Sequence, residues 1–191
     1  MAPYLAPVDK PGSLMLKLGY RYTKKQFGQV PGPLSVFCAR MPLAFSTFYG
    51  KLSKLDRKLT LDEELIVLVR EQVASATGCA FCMDSNGWAA LNKASVAPAR
   101  LVALADFETS NQFSDRERAA LGFVTEVARD QRCSQDTIHR VLRHFNERQV
   151  CELTWLVASE HLYNINNIAL GIGSSGLCEL PAIRQAVAAT A

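Results

Sequence analysis

Residues 61–91 read LDEELIVLVREQVASATGCAFCMDSNGWAAL. Leu65, Ile66, Val69 and Val73 recur at helical spacing, which predicts a helix over Leu61 to Thr77. Thr60 stands at the N-cap position, and Glu63 three residues on completes a capping-box pattern. Gly78 is the expected stop, because glycine takes the left-handed backbone at least cost. A second helix then starts at Cys79 or Ala80 and runs to Leu91. Two helices joined through one glycine, with two cysteines at the joint, set the frame for the rest of the chain.

The pattern continues outward. Pro98 opens a shorter helix to about Leu104. Ser114 and Glu117 repeat the box ahead of Ala119, Leu121, Val124 and Val127. Ser134 starts another helix, and Asn146 to Leu170 is the longest candidate, stopped by Gly171, Gly173 and Gly176. Pro181 to Ala189 reads as a short terminal helix. Upstream, helical character begins near Leu34, breaks at Pro42 and resumes from Leu43 to Leu55. Residues 1–32 carry Pro3, Pro7, Pro11, Gly12, Pro31 and Gly32 and are expected to form an irregular lead-in, with a short helix or strand at Leu14 to Tyr22. Strand-like alternation is absent. The expected architecture is all-α, seven to nine helices, with a single helical domain over 33–191 and the helix junction at 78–82.

Composition bounds the function. The chain has 191 residues, 49% of them hydrophobic and 20% charged, which excludes a disordered chain. Six cysteines are too few for a disulfide miniprotein. The apolar excess goes either to a generous core or to a subunit interface, and composition does not choose. The net charge of +3 is too small to argue for nucleic acid. Lys10, Lys17, Arg21, Lys24, Lys25 and Arg40 face only Asp9 in the first forty residues and read as a solvated lead-in. No apolar run nears the ~18 residues of a membrane span, and early prolines break any signal-peptide pattern. The expectation is a cytoplasmic protein with reduced thiols and no membrane or nucleic-acid partner.

Cys79 and Cys82 are the informative pair. The first turn of a helix has backbone N–H groups without intrahelical partners, and these favour a thiolate. Two cysteines three apart share a face and can close a disulfide. A peroxide could oxidise one sulfur to a sulfenic acid, which its neighbour would condense with; an external dithiol would reopen the bond. Spacing alone does not say which sulfur reacts first. A half zinc site, two inert buried thiols and a vestigial pair are the competing readings. Zinc wants four ligands in clustered pairs, and Cys38, Cys133, Cys151 and Cys178 are isolated in sequence. Asn86, four residues after Cys82, shares its face and can donate a hydrogen bond to sulfur or peroxide. Asp84 reads as support for the helix start or as a solvent-facing group. Glu71, among Val69, Val73 and Ala74, is a candidate base with a raised pKa, or else a surface carboxylate paired with a cation.

Gly78-Cys79-Ala80-Phe81-Cys82-Met83-Asp84 at a helix junction in an all-α chain resembles the alkylhydroperoxidase D-like superfamily, which also holds the carboxymuconolactone decarboxylases. The resemblance is good over about 33–110 and looser over 115–170. It implies an all-helical homo-oligomer: a dimer, trimer or hexamer. It also implies a peroxidatic Cys82, with Cys79 resolving it. The relay histidine of that superfamily falls here on Asn86, and the relay glutamate on Val67. Glu71, one turn later, is the expected substitute. His161, in the long helix, is the histidine that could replace the missing one in space; its neighbour Glu160 is a further candidate, and Tyr163, Asn164 and Asn167 add polar groups nearby. His139 and His144 stand among arginines on a solvated face. Phe81, Met83 and Trp88 are core or pocket wall, suiting an organic hydroperoxide. No nucleotide, flavin or HExxH fingerprint occurs, so no cofactor is expected.

The functional expectation is a thiol-dependent peroxidase or disulfide oxidoreductase, acting on hydroperoxides and reopened by a thioredoxin-like or other dithiol. The alternatives are non-redox, carboxymuconolactone decarboxylase-like catalysis using Glu71 and His161, and a non-catalytic structural or interaction protein with a vestigial CxxC.

Overall fold

The computed structural model describes residues 2–94 and 96–178, without the side chains of residues 45, 46 and 48. Helix α3 (Glu63–Thr77) lies at the centre. It packs against α4 (Ala80–Asn92), α6 (Asp115–Asp130) and α8 (Glu147–Ala169). Leu65, Leu68, Val69 and Val73 of α3 meet Leu121 and Val124 of α6 and Leu153, Leu156 and Val157 of α8 in one buried cluster. Each such side chain contributes about 1.5–3 kcal/mol by leaving water. Helix α5 (Pro98–Ala103), a 3₁₀ turn at Leu104–Asp106 and α7 (Gln135–Leu142) close the far side. No strand occurs among the described residues.

Local signals set most boundaries. Gly78 ends α3 in the left-handed region at φ 73°, where a Cβ would be strained. Ser114 caps α6 and Asn146 caps α8, each in a full capping box, and Ser134 caps α7. Thr60 does not cap α3. Asp62 takes that position, without a side-chain bond. Thr60 is instead turned outward: its N–H donates to Glu152 Oε2 at 2.8 Å, and its hydroxyl contacts the same carboxylate.

Within residues 1–32, where the sequence predicts an irregular lead-in with a short helix or strand at Leu14 to Tyr22, the element is a helix and runs longer. Leu14–Phe27 forms a four-turn helix, α1, ended by Gly28 at φ 73°. The prolines at 3, 7 and 11 all precede it. Only Leu16 and Tyr20 of α1 are buried, packing on Leu34 and Cys38, so its apolar stripe is too short to stand out by periodicity. Two π-helical turns follow, Pro33–Cys38 and Ala44–Tyr49, the second running into α2 (Gly50–Asp56). The terminal helix expected over 181–189 lies outside the described residues.

Candidate active site

Cys79 is the N-cap of α4, and its Sγ accepts a hydrogen bond from the Cys82 N–H at 3.3 Å. The two cysteines form a disulfide, with Cα atoms 5.2 Å apart. Both are buried, Cys79 at 1% and Cys82 at 4% exposure. They sit with Ala74, Phe81, Met83 and Tyr163 where α3 hands over to α4. Helix α8 crosses this junction, and Asn167 donates its amide N–H to Cys82 Sγ at 3.3 Å.

Cys82 borders a cavity of about 520 Å³; Cys79 does not. Phe37, Tyr49, Phe81 and Tyr163 give the cavity an aromatic wall, in which the Tyr49 and Tyr163 rings stack at 5.0 Å. Cys38, which reads as an isolated thiol in the sequence, lines the same space; burial pushes its pKa up to about 12. A larger hollow of about 790 Å³ lies between the N-terminal segment and residues 172–175, away from the cysteine pair. Cys82 thus lies at the smaller of the two cavities.

One side of that cavity is polar. Glu160 of α8, 3% exposed, accepts from Asn86 Nδ2 at 3.0 Å and from Arg70 Nη1 at 2.8 Å. Arg70 reaches on to Asp56 at 2.9 Å, which also accepts from Trp155 Nε1. A single guanidinium thus serves two carboxylates. Burial raises the Glu160 pKa above the usual carboxylate range, against the opposing pull of Arg70 and Asn86.

The predicted site residues separate into two groups. Cys82 and Asn86 line the cavity together, with Cys79 bonded behind. Glu71 and His161 are not among the residues lining it. Glu71 is half-buried, one of its carboxyl oxygens is shut in without a partner among the described residues, and its pKa rises to about 8 through burial and the nearby charges of Glu160 and Asp84. Asp84 neither supports the helix start nor faces water. It accepts the N–H groups of Ser175, Leu177 and Cys178, tying that loop to α4. Glu160 and Asn167, which the sequence singles out on the long helix, reach the site, whereas Arg70 and Asp56 are groups that the sequence reading did not place there. The signal for the first two is that Glu160, Asn164 and Asn167 recur at helical spacing as a polar row in an apolar helix, and all three are buried. Among the described residues, no cluster of three or more His, Cys, Asp or Glu is placed to hold a metal.

An all-helical fold with a disulfide-bonded CxxC pair at the joint of two core helices supports a redox-active role. Residues 39–126 of the chain match the carboxymuconolactone decarboxylase family. The protein YnjA of Escherichia coli (strain K12) is 29% identical over 166 residues, 85% of this chain and 89% of its own. Among solved structures, a cysteine-to-alanine variant of the debrominase Bmp8, in complex with 2,3,4-tribromopyrrole, superposes with a TM-score of 0.77 at 20% identity, covering 100% of this chain and 99% of that one. An alkylhydroperoxidase AhpD core protein from Ralstonia eutropha JMP134 gives 0.68 at 19% identity, covering 91% and 92%. At these identities the structures speak for the fold.

Proposed function

We propose that this protein is a thiol peroxidase that reduces organic hydroperoxides through Cys82 and Cys79. The observation that carries the reading is that Cys82, alone of the pair, borders an aromatic-walled cavity shared with a buried carboxyl. In the reduced protein, Cys82 as thiolate attacks the terminal peroxide oxygen. The O–O bond breaks, the alcohol leaves and Cys82 becomes a sulfenic acid. Cys79 then displaces water from that sulfur and closes the disulfide. An external dithiol restores both thiols and is itself oxidised. Glu160 handles the proton: it takes it from the Cys82 thiol across the cavity and returns it to the departing alkoxide. A carboxyl with a raised pKa suits both tasks near neutrality. Asn86 cannot titrate, so it and Arg70 hold the carboxylate in place. We further propose that the protein acts in the cytoplasm as a homo-oligomer.

The test is single-turnover oxidation of the reduced protein by cumene hydroperoxide, read as loss of free thiols. Two thiols should vanish per peroxide in the parent protein and one in Cys79→Ser. Cys82→Ser should be inert. Glu160→Gln should lose about 10²–10⁴-fold in rate, the usual weight of acid–base catalysis, and its remaining rate should no longer follow the parent's pH limb. Survival of both thiols in excess peroxide would end the proposal.

A second reading rests on the stacked tyrosine wall, which suits a flat ring. In it, Cys82 takes bromine from a brominated aromatic as Br⁺, the ring carbon gains a proton, and Cys79 closes the disulfide as bromide leaves. Bromide release from 2,3,4-tribromopyrrole by the reduced protein, with no reaction toward hydroperoxides, would favour it over the first.

A further inference from the structure

The disulfide is shut in. Cys79 is 1% exposed and Cys82 4%, so neither sulfur stands on the molecular surface. Thiol–disulfide exchange needs a thiolate to reach one sulfur and expel the other. The 520 Å³ cavity approaches the pair, and it ends on Cys82 and not on Cys79. That fixes which sulfur is attacked. It also fixes the leaving group, Cys79, whose Sγ already accepts the Cys82 N–H at the start of α4. A thiolate at a helix N-terminus is stabilised, and a stabilised thiolate leaves faster. Tyr22 and Thr23 of α1 and Leu34 and Phe37 of the first π-helical turn line the same cavity. A cavity of this volume admits a small molecule and not the folded face of a protein.

We propose that the disulfide is reopened by a low-molecular-weight thiol that enters the cavity and bonds to Cys82, expelling Cys79, and that a globular dithiol protein is not the direct reductant. The proposal rests on the redox reading of the pair and narrows its partner. The incoming thiolate RS⁻ forms the mixed disulfide Cys82–S–S–R as Cys79 departs as a thiolate. A second thiol, on the same molecule or another, then attacks the sulfur of R. Cys82 leaves as a thiolate and the disulfide of R is released. Two external thiols are oxidised, and Cys79 and Cys82 each regain a proton.

The experiment starts from protein oxidised with diamide, so it does not depend on any peroxide reaction. Free thiols are followed after adding dithiothreitol, glutathione or reduced thioredoxin at equal thiol concentration. The two small thiols should open the disulfide at least tenfold faster than thioredoxin. Thr23→Trp, which takes up space in the cavity, should slow the small thiols at least fivefold. In a second measurement, glutathione disulfide is added to reduced Cys79→Ser and Cys82→Ser. Peptide mass spectrometry should find glutathione on Cys82 in the first and none on Cys79 in the second. Thioredoxin reducing the parent protein as fast as dithiothreitol, or glutathione mapping to Cys79, overturns the proposal. A protein that passes this test yet ignores hydroperoxides would keep the partner assignment and lose the peroxidase.

Discussion

Glu71 shows how far a single residue can be read and where the reading stops. Its apolar neighbours leave two readings open in the sequence, a base with a raised pKa or a surface carboxylate paired with a cation, and the carboxyl is pushed up to about 8 by burial and by the charges of Glu160 and Asp84. A pKa raised on folding means the folded state holds the proton more tightly. The resulting stability is complete below the ordinary 4.5 and is lost as pH rises through about 8. Within that window the protein should lose about 1.4 kcal/mol per pH unit from this group. Glu71→Gln should flatten the slope of urea-unfolding free energy between about pH 5 and 8; an unchanged slope would remove Glu71 as its source. Being a half-buried acid does not put Glu71 in the cavity, however. Glu160 meets Asn86 across 74 residues of chain, a contact that neither spacing nor propensity encodes. Its neighbour in sequence, His161, lies about 100° round the helix and is not among the cavity-lining residues. Asn167 carries a similar lesson, since its amide is aimed at the Cys82 sulfur. A hydrogen bond to a charged group contributes about 1.5–3 kcal/mol. Asn167→Ala should therefore slow alkylation of reduced Cys82 by iodoacetamide about tenfold at neutral pH, measured on a Cys79→Ser background.

Among the elements, α8 does more than complete the core. Its first half carries Glu152, 6% exposed, which accepts the Thr60 N–H at 2.8 Å and the Leu61 N–H at 3.2 Å and pairs with Arg148 at 2.9 Å. Its second half carries Glu160 and Asn167 to the cysteines. One helix therefore sets both where α3 begins and what surrounds the pair where α3 ends. Glu152→Ala should strand two backbone donors and cost about 2–3 kcal/mol, seen as a lower urea midpoint with an unchanged m-value. The same helix marks the limit of local signals. The helix starts at Asn146 as the sequence predicts, and Asn146 and Gln149 close a capping box there, because both partners lie within one turn. Thr60 has the residue type of a cap, but a buried carboxylate 92 residues away takes it instead, and α3 starts two residues late. Helix α1 reads in the sequence as helix or strand, and too short, for the opposite reason: it buries so little that its pattern is faint.

At the scale of the whole molecule, the open question is where the apolar excess goes. The central cluster absorbs much of it. A substantial remainder is outside: Leu14, Leu18 and Tyr22 of α1 are 73%, 56% and 65% exposed, and Ile165 of α8 is 61% exposed. Leu14, Leu18 and Tyr22 are four apart and form one row along α1. A row of large apolar side chains is poorly suited to water and well suited to a second copy of the chain. Lys17, Arg21 and Lys24 lie alongside it, and α1 contains no acid. Two α1 helices laid face to face would set cations against cations, so the row should dock on a different surface of its neighbour. Light scattering at tens of micromolar should then give a multiple of 21.0 kDa. Leu14→Ser combined with Leu18→Ser removes two side chains whose burial contributes about 1.5–3 kcal/mol each. That double variant should associate at least tenfold more weakly while keeping the helical circular dichroism of the parent. A parent protein that scatters as a single 21.0 kDa chain would instead leave the row as exposed surface, and the apolar excess would belong to the core alone.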